Sequence, residues 1–113
     1  MDGEPTNRPA PLVRDTAGAD ARRMLLGGPP ETCGMRSGRI LLAPGEEVGR
    51  HSTRGHEETL VIIEGAGRLE IDGREGLPIA AGQVAYVPPE TFHNVRADGP
   101  GPLRYIFIVA PVR

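Results

Sequence analysis

Residues 51–58 read "HSTRGHEE", which puts two of the chain's three histidines and two adjacent glutamates within eight positions. Imidazole nitrogens and carboxylate oxygens ligate divalent transition metals, and the same groups move protons near neutral pH. A solvated hairpin loop is the plain alternative, and a metal site needs further ligands from elsewhere. The segment "GQVAYVPPETFHNV" supplies one, because His93 opens a strand-like run after a Pro-Pro turn. Glu58 alternates with Leu60 and Ile62, so its carboxylate is aligned with interior residues. An ionised carboxylate beside a core requires a cation or a hydrogen-bonding partner.

The elements that must position these groups are short strands. From Met35 onward, apolar runs are separated by turn signals, "PG" at 44–45, "EGAG" at 64–67, "DG" at 72–73, "AG" at 81–82, "PP" at 88–89 and "DGPG" at 98–101. This spacing predicts an all-β sandwich or barrel, with strands at 39–43, 48–52, 59–63, 68–71, 77–80, 84–87, 93–96 and 103–109. Pairing of 48–52 with the following strand in a hairpin would aim His51 and Glu58 into one interior. "EIDGRE" predicts a tight hairpin with positive φ at both Asp72 and Gly73. "LVII" and "YIFIVA" are apolar on both faces, so a barrel interior covers one side and a second sheet or a dimer partner covers the other. Residues 1–34 are rich in Pro, Ala, Gly and charge and read as an arm, partly disordered or laid across a partner subunit. Within the arm, "TAGADARRMLL" has room for one or two helical turns. Residues 35–113 form the barrel domain.

Composition narrows the function classes. A chain of 113 residues is one domain with a modest core. Its 16 Gly and 12 Pro are unsuited to a helical bundle. A formal charge of −2 argues against nucleic acid or an anionic membrane as partner. All 13 basic residues are Arg, which reads as codon bias although Arg also suits carboxylate ligands. Arg50 and Arg104 are candidates to grip an anion, with exposed surface positions as the ordinary reading. The lone Cys33 excludes an intrachain disulfide and a CxxC motif, and is expected as a small buried or half-buried side chain. "GAGRLE" has Glu70 where a dinucleotide fingerprint needs Gly, and no GxxxxGK[ST] occurs. No apolar run is long enough for a bilayer span or a signal peptide, so a cytoplasmic location is the default expectation.

With these residues in hand, the chain resembles a small single-domain cupin, a double-stranded β-helix of the jelly-roll class. The first cupin motif, G-x5-H-x-H-x3,4-E-x6-G, is matched by Gly45, His51, Glu58 and Gly65, with Thr53 where the second His belongs. The second, G-x5-P-x-G-x2-H-x3-N, is matched by Gly82, Pro88 and His93, with Glu90 in place of Gly and Ala97 in place of Asn. The resemblance covers residues 36–111. It implies one divalent transition metal (Fe, Mn, Ni or Zn) held by His51, Glu58 and His93. Two imidazoles and one carboxylate are also the ligand type of non-haem iron sites with open positions. His56 is the candidate to replace the ligand lost at Thr53, or to serve with Glu57 as general acid or base. Thr53, Tyr86, Tyr105 and Phe107 are candidate pocket residues, with aromatic core packing as the competing reading.

Two functions compete. The first is a metal-dependent enzyme acting on a small organic molecule, by dioxygenase chemistry or by isomerase- or lyase-type chemistry. The second is a non-catalytic module that binds a small effector or sugar. The resemblance and the doubly apolar strands both imply a homodimer.

Overall fold

The computed structural model of the chain describes residues 8–112. Nine strands follow one another among them: β1 (Arg22–Gly27), β2 (Arg36–Leu42), β3 (His51–Ser52), β4 (His56–Glu64), β5 (Ala66–Ile71), β6 (Leu77–Ala80), β7 (Val84–Val87), β8 (Phe92–Ala97) and β9 (Leu103–Pro111). They form a five-stranded sheet, β1-β2-β9-β4-β7, and a four-stranded sheet, β3-β8-β5-β6. The strand pairs are antiparallel throughout. The two sheets close into a jelly-roll barrel, a double-stranded β-helix. No helix among the described residues is long and apolar enough to cross a membrane.

Alternation along the strands builds the interior. On β4, Glu58, Leu60 and Ile62 point inward and are buried, while Thr59 and Val61 between them are only half-buried. Leu103 and Tyr105 on β9, Leu69 on β5 and Val95 on β8 meet them in one core. Removing side chains of this kind from water contributes roughly 1.5–3 kcal/mol each. The β4–β5 turn is fitted to Gly65, whose φ is +85° and whose Cβ, if it had one, would lie 2.0 Å from the Pro102 carbonyl oxygen.

The structure departs from the sequence reading at several places. The β3 and β4 strands do not form a hairpin: β3 pairs with β8, and β4 pairs with β7 and β9. The three residues between β3 and β4 carry the chain from one sheet to the other, so His51 and Glu58 stand on opposite walls. The turn after β5 has positive φ at Gly73 but not at Asp72, and pairing resumes only at Leu69↔Leu77. It is therefore a wider loop than a two-residue hairpin. Cys33 is exposed rather than buried.

Part of the arm is also structured. "RRMLLG" is a strand, not helix, and pairs with β2 along one edge of the five-stranded sheet. The stretch before it folds over the outer face of β2. There Arg39 is fully buried, donating hydrogen bonds to the carbonyls of Thr16 and Asp20. Residues 1–7 of the expected arm lie outside the described residues.

Candidate metal centre

Register alone places the two motif histidines side by side. His51 on β3 is the cross-strand partner of His93 on β8, and their ring centroids are 4.3 Å apart. Glu58 faces them from β4, and its Oε1 lies 2.9 Å from His93 Nε2. Ligand atoms of His51, Glu58 and His93 all lie within 4.8 Å of one another. Ligands that share one ion at bond lengths of about 2 Å stand roughly 3–4 Å apart, so the group fits a metal with small side-chain adjustments.

Backbone carbonyls orient both rings. His51 Nδ1 is 2.8 Å from the Gly49 carbonyl, and His93 Nδ1 is 3.2 Å from the Thr91 carbonyl. A carbonyl only accepts, so each Nδ1 carries a proton and each Nε2 is turned toward the shared space. Asn94, which the sequence reading passed over, fixes the first of these anchors: its Oδ1 accepts from the Gly49 N–H at 2.8 Å, and its Nδ2 donates to Glu47 and Glu70. Burial by itself disfavours the protonated form of His93. The hydrogen bond and charge of Glu58, with the Thr91 carbonyl, outweigh it and hold the imidazole above its ordinary pKa.

Thr53, standing where the motif has its second His, is occupied otherwise. Its hydroxyl donates to the Pro88 carbonyl at 2.8 Å and accepts from the Thr91 N–H at 3.1 Å. It thereby clasps the β3–β4 crossing to the β7–β8 turn that carries the His93 anchor. The side chain still lines the cavity above the metal group.

That cavity has a volume of about 200 Å³ and is walled by both sheets. His56 lines it from the same face of β4 as Glu58, but lies outside the close three-residue group. Tyr105 and Phe107 line it as well. Burial, and then the charge of Glu58, push the Tyr105 phenol far above its usual range, with Arg22 acting in the opposite sense. Tyr105 therefore remains a proton donor. Glu57 and Tyr86 are not brought to the cavity. Both are exposed on the outer face, where the Tyr86 hydroxyl donates to Glu57 at 2.8 Å. Period-two alternation makes this unavoidable once Glu58 points inward.

The two arginines suggested as anion grips are engaged elsewhere. Arg50 is paired with Asp72 and Arg104 with Glu64. The arginines on the cavity are Arg22 and Arg36. The alternation of Arg22 and Met24 just before "GGPP" is a signal for the first of them, inside a segment whose composition is that of an arm.

Fold and site together define a β-helical barrel with a His–Glu–His group that could hold a metal ion, and comparison with known proteins sets the family. Residues 38–109 match the family model of the Cupin domain, and the chain belongs to the cupin family. It is 33% identical over 98 residues to polyketide synthase CurC of Streptomyces cyaneus, covering 84% of this chain and 61% of that protein. Over 71 residues it is 30% identical to an oxalate-binding protein of Thermotoga maritima, covering 63% of this chain and 58% of the relative. The chain thus spans about three fifths of the length of these relatives. A double-stranded β-helix cupin from Methanocaldococcus jannaschii superposes with a TM-score of 0.73 at 21% identity, covering 88% of this chain and 87% of that one.

Proposed function

We propose that the chain is a metal-dependent cupin enzyme acting on a small organic molecule, with His51, Glu58 and His93 holding one divalent transition metal. The observation that carries this reading is the meeting of these three side chains, from two sheets, on one cavity. A metal bound there supplies Lewis acidity or access to oxygen chemistry according to its identity, and Fe, Mn, Ni and Zn all suit the donor set.

The chain's own groups have distinct tasks. His51 and His93 present Nε2 because carbonyls hold Nδ1. Glu58 brings the negative charge that a divalent ion needs. His56, on the cavity wall, is placed to pass a proton to or from a ligand, or to add a fourth nitrogen. Tyr105 offers an O–H donor, and Ile40, Leu60, Val95 and Phe107 keep water from the remaining wall. Iron favours dioxygenase-type reactions, whereas Mn, Ni or Zn favours isomerase- or lyase-type ones. The oxalate bound by one relative makes small organic acids the first substrates to try.

The test is turnover by full-length protein reloaded in turn with Fe(II), Mn(II), Ni(II) and Zn(II) against a panel of small organic acids, followed by mass spectrometry. Conversion that needs a metal and is lost in His51→Ala supports the enzyme. Conversion that is independent of metal and of His51 overturns it. One observation favours a second reading, a binding module: the residue at the second motif His position is spent on a structural clasp. In that case a ligand would be bound and recovered unchanged under every metal.

A homodimer belongs to the same proposal. Across the outer face of the five-stranded sheet, register aligns Ile106, Val61 and Val84 in one row and Ile108, Thr59 and Tyr86 in the next. Val84 and Tyr86 are exposed at its end.

A further inference from the structure

We propose that the cavity takes a monocarboxylate with an apolar, ring-sized body, its carboxylate gripped by Arg22 and Arg36 on the side contributed by β1 and β2. The proposal rests on the metal reading only in that the other end of the ligand would face His51, Glu58 and His93. Both arginines line the cavity, and among the described residues neither has a carboxylate within ion-pair distance. Arg14, Arg50, Arg96 and Arg104 are each paired with a carboxylate, and the other described arginines do not line the cavity. Guanidinium is the side chain best matched to a carboxylate, since it presents parallel N–H donors in a planar fork.

Arg22 is also held in place before any ligand arrives. Gly38 on β2 faces Phe107 on β9, and a Cβ at Gly38 would fall 2.6 Å from the Phe107 ring. The missing side chain lets the ring lie against β2. Arg22 then lies over that ring, with its guanidinium carbon 5.4 Å from the centroid. A cation attracted to a ring face spends no hydrogen bond on it, so its N–H donors stay available. Arg36 lies in the inner-face row Arg36–Val109–Glu58, two strands from the metal group. Between the two ends the wall is apolar, formed by Met24, Ile40 and Phe107. A cavity of about 200 Å³ is below the ~300–1,000 Å³ of drug-sized sites and suits one small ring.

Arg22, Met24 and Arg36 all precede residue 38, where the family match begins. Ligand selection is thus assigned to side chains that lie before the matched segment, on β1 and at the start of β2. Oxalate, with no apolar body, would gain nothing from this wall.

The experiment is isothermal titration of full-length metal-loaded protein with benzoate, benzamide and oxalate, for wild type, Arg22→Gln, Arg22→Lys and Arg36→Gln. Metal content and thermal melting are measured on every sample. Loss of a charged hydrogen-bonding partner predicts benzoate binding about 10- to 100-fold weaker in Arg22→Gln, with metal content and melting unchanged and part of the affinity kept in Arg22→Lys. Benzamide should bind wild type at least about tenfold more weakly than benzoate. Benzoate held equally by wild type and both Gln variants overturns the proposal, as does benzamide binding as tightly as benzoate. So does absence of benzoate binding in the metal-loaded wild type. A wild type that takes up no metal removes the metal reading instead. A loss of benzoate affinity in metal-free Arg22→Gln would then still support the arginine grip.

Discussion

Replacing Thr53 with Val keeps the side-chain shape and removes one hydroxyl, which isolates the clasp from the packing around it. That hydroxyl makes two hydrogen bonds, 2.8 Å to the Pro88 carbonyl and 3.1 Å from the Thr91 N–H, and Thr53 is only 8% exposed. At about 1 kcal/mol net for each bond, the substitution costs about 2 kcal/mol. For a domain of this size that is a fall of roughly 8 °C in melting temperature. In urea it is a midpoint lower by about 1 M at a slope of ~2 kcal/mol/M. The Thr91 carbonyl in the same turn orients His93, so metal affinity should fall by about tenfold or more, in the manner of other groups that support a ligand. Thr53→Ser retains the hydroxyl and should recover most of both effects. Circular dichroism melts and competition of metal against a chromogenic chelator read the two quantities. A Val variant that melts within about 2 °C of wild type, with unchanged metal affinity, refutes the clasp.

Other outcomes follow from the same geometry. In metal-free protein the His93 pKa lies above its ordinary 6.5, so the imidazolium–Glu58 pair adds stability below that value and loses it as pH rises through the raised one. Melting temperature of the metal-free protein should therefore decline as pH rises above 6.5, and His93→Gln should flatten that decline. Metal affinity should run the opposite way and rise with pH, because the ion displaces a proton. Gly65→Ala forces a methyl group against the Pro102 carbonyl at a φ of +85° and should cost at least about 3 kcal/mol, read by urea denaturation. Val84→Glu, at an exposed outer-face position, should turn a dimer into a monomer in sedimentation velocity without unfolding it.

The barrel was legible because its evidence is local and periodic. Glu58, Leu60 and Ile62 alternate, turns recur at Gly and Pro pairs, and motif spacing tied Gly45, His51, Glu58, Gly65 and His93 together. What the pattern could not carry was pairing between distant segments. His51 and Glu58 were expected on one hairpin, yet they come from opposite sheets, since a strand's own sequence does not name its neighbour. β1 was hidden for a related reason. "RRMLLG" is short, and its partner β2 begins nine residues later across a Gly-Pro turn, so its composition resembled an arm. With β1 went Arg22, which left Arg50 and Arg104 as the visible candidates for an anion grip, although they are tied to Asp72 and Glu64. Glu57 was separated from Glu58 only by strand register, which decides inside from outside by a single residue. The use of the Thr53 hydroxyl depended on the β7–β8 turn coming to it, a contact 35 residues away in the chain.

The measurement that bears most directly on the metal centre is the metal content of tag-free protein by mass spectrometry, wild type beside the His51→Ala, His93→Ala double variant. Close to one equivalent of a transition metal is expected in the wild type, as isolated or after reloading, and little in a folded double variant. Wild-type protein that takes up no metal from Fe, Mn, Ni or Zn, or a double variant that retains as much as wild type, would contradict that expectation.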